Sequence, residues 1–386
     1  MSIKLFENKS ECCGCTACMN ICPNKAIRMK IDEEGFLYPV IDKEKCIECG
    51  LCKKVCALQN GYNIENRLEK VEVYATKNKS DIVRMHSSSG GLFYTLSKNV
   101  LNKNGVVYGC IFDDNFHAIH IRTDNMDGIK KMMGSKYSQS ELGNVYNNVK
   151  KDLKNGKLVL FTGTPCQVAG LNKFLKDKDN SKLILVDLIC HGTPSPQLFQ
   201  DYIKFLEKTK KKKIKGYYHR SNKISWQQHT ENVVYEGGKE DYTSRLSQTW
   251  KRIFYSDLCL RPSCYSCKYT NTKRPGDITI GDFWGIEQYD KEFVDKKGVS
   301  LVLINTTKGQ KLFKEISNDL LINKRKIEEA IVKNPQLKQP INISINERKK
   351  FWSDYKNNGF KYIANKYGGY NNIGKLKNLI KRIIKR

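Results

Sequence analysis

From residue 70 onward, short apolar runs alternate with longer stretches that are apolar on one side only. Residues 71–76, 105–112, 158–161, 183–189 and 298–305 are runs of strand length, rich in Val, Ile and Leu. Runs that are apolar at nearly every position read as strands covered on both faces. Between them, residues 90–102 carry Leu92, Phe93, Leu96 and Val100 at helical spacing. Residues 145–153, 167–176 and 194–210 are expected as further helices. Strand and helix in alternation predict an α/β body. Residues 214–242 read as a more irregular β segment, and from about Asn334 the expected order weakens. At the end, Ile373, Leu376, Leu379 and Ile383 recur at helical spacing with Lys and Arg opposite. Residues 374–386 are therefore expected as a basic amphipathic helix. It would suit an anionic membrane surface, its own body or a partner.

The first 62 residues break this rhythm. They hold Cys12-x-x-Cys15-x-x-Cys18-x-x-x-Cys22-Pro23 and Cys46-x-x-Cys49-x-x-Cys52-x-x-x-Cys56. Three cysteines two residues apart curl the backbone around one 4Fe–4S cube, and the fourth ligates the other cube. Cys12, Cys15, Cys18 and Cys56 are assigned to cube one on this rule, and Cys46, Cys49, Cys52 and Cys22 to cube two. Ala57 stands where the first run has Pro23. Cys13 is a ninth cysteine, but only Cys12 keeps the spacing. Zinc sites use cysteine pairs with a longer gap, and disulfides need an oxidising compartment. A short helix is expected after each run, a hairpin strand at 35–41 and a linker at 61–69.

The chain has 386 residues, which predicts two or three domains. Residues 1–10 lack an apolar leader and the apolar runs are too short to span a bilayer. A cytoplasmic protein follows, with its 15 cysteines reduced or metal-bound. The net charge of +28 is uneven. Residues 1–62 carry nine Lys/Arg and eight Asp/Glu, whereas residues 341–386 carry twelve and two. A basic surface can attract acidic partners, but Lys, Asn and Ile abound throughout, and solvated lysines explain most of the excess. No nucleic-acid motif stands out, and no nucleic-acid partner is expected.

Six cysteines lie outside the two runs. Cys166 in Gly163-Thr-Pro-Cys-Gln167 and Cys190 in Cys190-His-Gly192 follow directly on expected strands. Open α/β sheets bind ligands at such carboxyl ends. With Cys264-x-x-Cys267 they make four thiolates, enough for a third cube, unless they are ordinary buried thiols. Three loops are candidate phosphate or flavin contacts: Ser88, Ser89, Gly90 and Gly91 opening a helix; Gly134, Ser135, Lys136 and Tyr137; and Gly163 with Thr164. Helix-opening Ser-Gly pairs are also plain caps.

The ordered set Ser88-Ser-Gly-Gly91, Gly134-Ser-Lys-Tyr137, Gly163-Thr-Pro-Cys-Gln167, Cys190-His-Gly192, Pro262-Ser-Cys-Tyr-Ser-Cys267, Asp277-Ile-Thr-Ile-Gly-Asp-Phe-Trp-Gly285 and Lys297-Gly-Val-Ser300 resembles the beta subunit of coenzyme F-420 hydrogenases and dehydrogenases. Here a bacterial-type ferredoxin module precedes it. The resemblance implies an α+β ferredoxin-like 2×(4Fe–4S) domain at 1–62, fused to an α/β flavoprotein domain at 70–335. A basic helical extension follows at 336–386. It implies FAD near the three loops and a third 4Fe–4S cluster on Cys166, Cys190, Cys264 and Cys267. Cys110 and Cys259 are then ordinary buried thiols. The expected activity is an oxidoreductase passing electrons from a ferredoxin or partner reductase to FAD and on to an unidentified small-molecule acceptor. His191 is a candidate proton donor or a support beside Cys190. The alternative is an electron-transfer protein without its own substrate, serving a partner enzyme.

Overall fold

The computed structural model describes residues 3–176 and 180–370. The expected helix at 374–386 lies outside the described residues. Thirteen strands are described: β1 (Ile27–Ile31), β2 (Leu37–Ile41), β3 (Arg67–Asn78), β4 (Val106–Phe112), β5 (Ala118–Thr123), β6 (Val159–Gly163), β7 (Leu183–Leu188), β8 (Ile214–Ser221), β9 (Thr230–Tyr235), β10 (Glu240–Asp241), β11 (Ile278–Asp282), β12 (Ser300–Thr306) and β13 (Leu320–Arg325). Eight of them form one mixed sheet in the order β13-β3-β12-β11-β7-β6-β4-β5. Its four central strands β4, β6, β7 and β11 are parallel, and antiparallel pairs flank them. The parallel centre follows from the run composition: β6 is buried at every position and β7 at all but its last. Strands of this kind need helices on both faces.

The amphipathic segments supply them. Leu92–Asn102 buries Leu92, Leu96 and Val100. Its start falls two residues after the expected one, because Gly91 takes φ 89° as its N-cap. Pro165–Phe174 opens with Pro at its first turn and a reciprocal cap between Thr164 and Gln167, the favoured chemistry of a helix start. The irregular β region is a separate sheet, β10-β9-β8, with breaks in register.

The iron–sulfur module packs into this body. Cys13, Cys15, Ala17, Val55 and Leu58 share one apolar core with Val106, Tyr146, Phe161 and Leu171. The β1–β2 hairpin contributes Phe36, fully buried, to a second core with Phe199, Trp250 and Phe351. The expected loss of order after Asn334 is corrected. Residues Ile345–Lys366 are helical, with a break at Gly359 (φ 71°, ψ −178°). Phe351 and Ile363 are fully buried. Arg348 Nη1 donates to Glu34 Oε1 at 2.7 Å and its Nη2 to Oε2, which locks this helix to the hairpin turn. Lysines and asparagines dilute the apolar stripe, and Gly359 shifts its phase, so the periodicity is hard to read locally. Among the described residues no helix is long and apolar enough to cross a membrane.

Candidate functional site

The carboxyl ends of the parallel strands open on a cavity of about 490 Å³, within the usual range of ligand sites. β4 contributes Cys110, β6 contributes Thr162 and Gly163, β7 contributes Leu188, and β11 contributes Ile280, Gly281 and Asp282. Every loop residue expected at a cofactor lines this cavity except Gly90: Ser88, Ser89, Gly91, Gly134, Ser135, Lys136, Tyr137, Gly163 and Thr164, together with Cys190 and His191. Gly90 sits behind the wall. A Cβ there would come 2.3 Å from the Thr76 carbonyl oxygen and 2.7 Å from the Ser300 nitrogen. Only glycine lets this loop lie against β3 and β12.

The loops are held by their own bonds. Ser135 N donates to Ser88 Oγ at 2.8 Å, tying two of the three loops together. Ser89 Oγ donates to the Val299 carbonyl. Lys136 Nζ lies within 3.0 Å of the carbonyl oxygens of Lys131, Met132, Met133 and Gly134. Its ammonium therefore closes the helix Met126–Met132, and burial lowers its pKa to about 8. The Tyr137 ring stacks on Phe254 at 4.6 Å and 12°. His191 is held at both nitrogens: Nε2 lies 2.6 Å from Asp257 Oδ1, and Gln336 Nε2 lies 3.2 Å from Nδ1.

Sequence reasoning misses part of the wall. Arg220 comes from β8, Phe254 and Tyr255 from the helix Thr249–Phe254 and its end, and Asp282 and Trp284 from β11 and the turn after it. Arg220 Nη1 donates to Asp282 Oδ2 at 2.6 Å and its guanidinium lies 4.8 Å over Trp284. Asp282 and Trp284 belong to one of the motifs of the resemblance, which gives them no role; Arg220 has no local signal. Cys110, expected as an ordinary buried thiol, lines the cavity, with burial pushing its pKa up to about 11. Cys259 is fully buried.

The thiols gather in three groups. Burial, followed by Cys12 and Cys56, pushes the Cys18 thiol up. Cys52 is raised by burial first, with Cys49 and Cys22 adding; Cys22, Cys46, Cys49 and Cys52 line one cavity. Cys22 and Cys56 are thus each beside the other run's cysteines. In the third group, burial and then Cys264, Cys166 and Cys267 push Cys190 well up. Thr193 N donates to Cys264 Sγ at 3.4 Å, and Thr164 Oγ1 lies 3.2 Å from Cys166 Sγ. Thiols that oppose one another's ionisation are what a bound iron core relieves, so the groups Cys12, Cys18 and Cys56; Cys22, Cys49 and Cys52; and Cys166, Cys190, Cys264 and Cys267 suit iron–sulfur clusters, while Cys15 lies against Cys13. Among the described residues no three His, Cys, Asp or Glu side chains are placed to hold a single ion. Cys13, the extra cysteine, sits between Cys15 and Cys166, which perturb its thiol most.

Residues 156–330 match the family model of the C terminus of the coenzyme F420 hydrogenase/dehydrogenase beta subunit, and residues 11–60 match the 4Fe-4S dicluster domain. No curated protein sequence matches. Among solved structures, a chain of the F420-reducing [NiFe] hydrogenase complex from Methanosarcina barkeri is similar at 14% identity and TM-score 0.46. The match covers 77% of this chain and 91% of that one. With matches to the 4Fe-4S dicluster domain at 11–60 and to the C terminus of the F420 hydrogenase/dehydrogenase beta subunit at 156–330, the chain is an iron–sulfur electron-transfer protein related to that subunit.

Proposed function

We propose that this chain is a flavin-dependent oxidoreductase that receives electrons at its N-terminal module and delivers them at the cavity. The observation that carries the reading is the cavity wall: three loops far apart in sequence meet there beside Cys190. Bound FAD would supply the exchange between single electrons and hydride chemistry. Ser88, Ser89, Gly91, Gly134, Ser135, Gly163 and Thr164 would hold it, and Tyr137 would present an aromatic wall. Cys166, Cys190, Cys264 and Cys267 would hold the third cluster. Of the two roles open to His191, the engagement of both ring nitrogens favours support: Asp257 and Gln336 fix the ring beside Cys190. Lys136 shapes the loop rather than offering a free charge.

The expected boundaries at 62, 70 and 335 enter here as proposals, though the shared cores make the three parts one packed unit. The donor end is the exposed side of the dicluster module. Cys49 is exposed there, Ile47 is 62% and Leu51 39% exposed, and the same stretch carries exposed Lys43, Lys45, Lys53 and Lys54 with exposed Glu44 and Glu48. A ferredoxin-class donor fits this partly apolar surface of mixed charge. The same surface favours a second reading, an electron-transfer subunit feeding a partner enzyme. Release of flavin by acid from purified protein tests the main reading. One FAD per chain is expected, and Ser135→Trp, which fills the cavity, should lose it while keeping iron. Flavin-free protein with full iron would leave the second reading in its place.

A further inference from the structure

Five arginines are buried among the described residues: Arg84, Arg220, Arg261, Arg274 and Arg348. Four of them pair with a carboxylate: Arg84 with Asp295, Arg220 with Asp282, Arg274 with Asp187 and Arg348 with Glu34. Arg261, 1% exposed, has no carboxylate partner among the described residues. Its nitrogens meet neutral acceptors. Nε donates to the Cys12 carbonyl at 2.8 Å, Nη1 to Gln139 Oε1 at 2.9 Å and Nη2 to the Leu37 carbonyl at 3.0 Å. The remaining contact is with sulfur: Nη2 lies 3.7 Å from Cys12 Sγ. The Tyr38 ring centroid is 4.1 Å from the guanidinium carbon.

A buried cation without a counter-charge costs several kcal/mol. Neutral hydrogen bonds satisfy its donors but leave its charge. The thiol in contact with the guanidinium is Cys12, and the same charge also favours the thiolates of Cys166 and Cys264 in the third set. We propose that Arg261 is the counter-ion of the cube held by Cys12, Cys15, Cys18 and Cys56, and that its charge raises that cube's reduction potential above that of its neighbour. The proposal rests on the assignment of those four cysteines to a cube. Net charge and hydrogen bonds to the ligating sulfurs are recognised controls of such potentials. A reduced cube carries one more negative charge than an oxidised one, so a fixed cation stabilises it more.

The placement gives this a direction. The thiols assigned to cube two reach the surface, where Cys49 is exposed. Cys15, Cys18 and Cys56, assigned to cube one, pack toward the main core. Gly170, in the helix that begins beside Cys166, leaves room for Cys15, whose Sγ would lie 2.9 Å from a Cβ at that glycine. Arg261 itself precedes the turn Pro262–Ser266, and its carbonyl accepts from Cys264 N at 2.9 Å. One residue thus spans cube one and the loop of the third thiol set. An electron given by a reduced ferredoxin-class donor to this pair of cubes rests on the inner one.

The test is a redox titration of the iron-loaded protein, followed by electron paramagnetic resonance, in wild type, Arg261→Gln and Arg261→Lys. Arg261→Gln should lower the higher of the two N-terminal potentials by at least tenfold in the reduction equilibrium, about 59 mV for one electron. The other potential should stay, and Arg261→Lys should hold the first within about threefold of wild type, since the cation alone is conserved and the reach is shorter. Loss of cube-one iron from the Gln variant but not the Lys variant gives the same answer. Unchanged potentials in iron-replete Arg261→Gln overturn the proposal, as do equal shifts, or equal iron loss, in both variants. Wild-type protein without two N-terminal cube signals would remove the cube assignment itself.

Discussion

Asp282→Asn probes the ion pair in the cavity wall. Asp282 accepts from Arg220 Nη1 at 2.6 Å, from Arg220 Nη2 at 3.5 Å and from Trp226 Nε1 at 2.7 Å. The Arg220 side chain is 2% exposed and that of Asp282 16%. Burial works against the Arg220 charge, but Asp282 and Tyr137 outweigh it, so its pKa is raised. An asparagine keeps the shape and removes the anion. Beyond it, Arg220 keeps a 3.3 Å bond to the Trp226 carbonyl. Stranding one partner of a buried pair costs about 3–5 kcal/mol. Partial solvent access at Asp282 places this case near the lower end, about 3 kcal/mol. Urea unfolding followed by tryptophan emission reads it directly, because Trp226 and Trp284 stack at 4.7 Å and 3° beside the pair. The double variant Arg220→Met, Asp282→Leu should be less damaging than Asp282→Asn alone, since no charge is left unpaired. A loss below about 1 kcal/mol for Asp282→Asn, or a double variant equal to the sum of its singles, would refute the reasoning.

Other consequences follow from single contacts. Gly90→Ala drives a Cβ into the Thr76 and Ser300 backbone and should cost about 1–3 kcal/mol with loss of bound flavin; wild-type flavin content would contradict the role given to this loop. Cys264→Ala with Cys267→Ala should remove about four irons per chain and leave the dicluster signals intact, measured by iron analysis and spectroscopy. Glu231 is fully buried, and burial raises its pKa to about 8. The folded state therefore holds a proton that the unfolded chain releases near the ordinary carboxyl value of about 4.3. Stability from this group is full below that value and falls as pH rises to about 8, by at most about 1.4 kcal/mol per unit. Glu231→Gln should flatten the pH dependence of unfolding over that window, and an unchanged slope would count against it.

The parts legible in the sequence are those whose chemistry is local. The cysteine spacings point to the two N-terminal thiol sets, the places of Cys166 and Cys190 after strands to the third, and the apolar runs at β6 and β7 to buried central strands. β5 is hidden because His120 and Arg122 interrupt its apolar residues, and β13 because Asn323, Lys324 and Arg325 end it as an edge strand. β11 is short and ends in Gly281-Asp282, which reads as a turn. Helix is expected within the extension at 336–386, but the bounds Ile345–Lys366 are masked by polar residues and by Gly359. Arg220 and Arg261 act through tertiary pairing, or the lack of it, which no local window displays. The cavity is half legible: its loops carry signals, but their meeting depends on the order of strands in the sheet.

The most direct test of the central claim is anaerobic iron and flavin analysis of the purified protein. Three cubes and one flavin require about twelve irons and one FAD per chain. About eight irons that stay unchanged when Cys264 and Cys267 are replaced by alanine, with no FAD released, would contradict the account and leave a dicluster carrier alone.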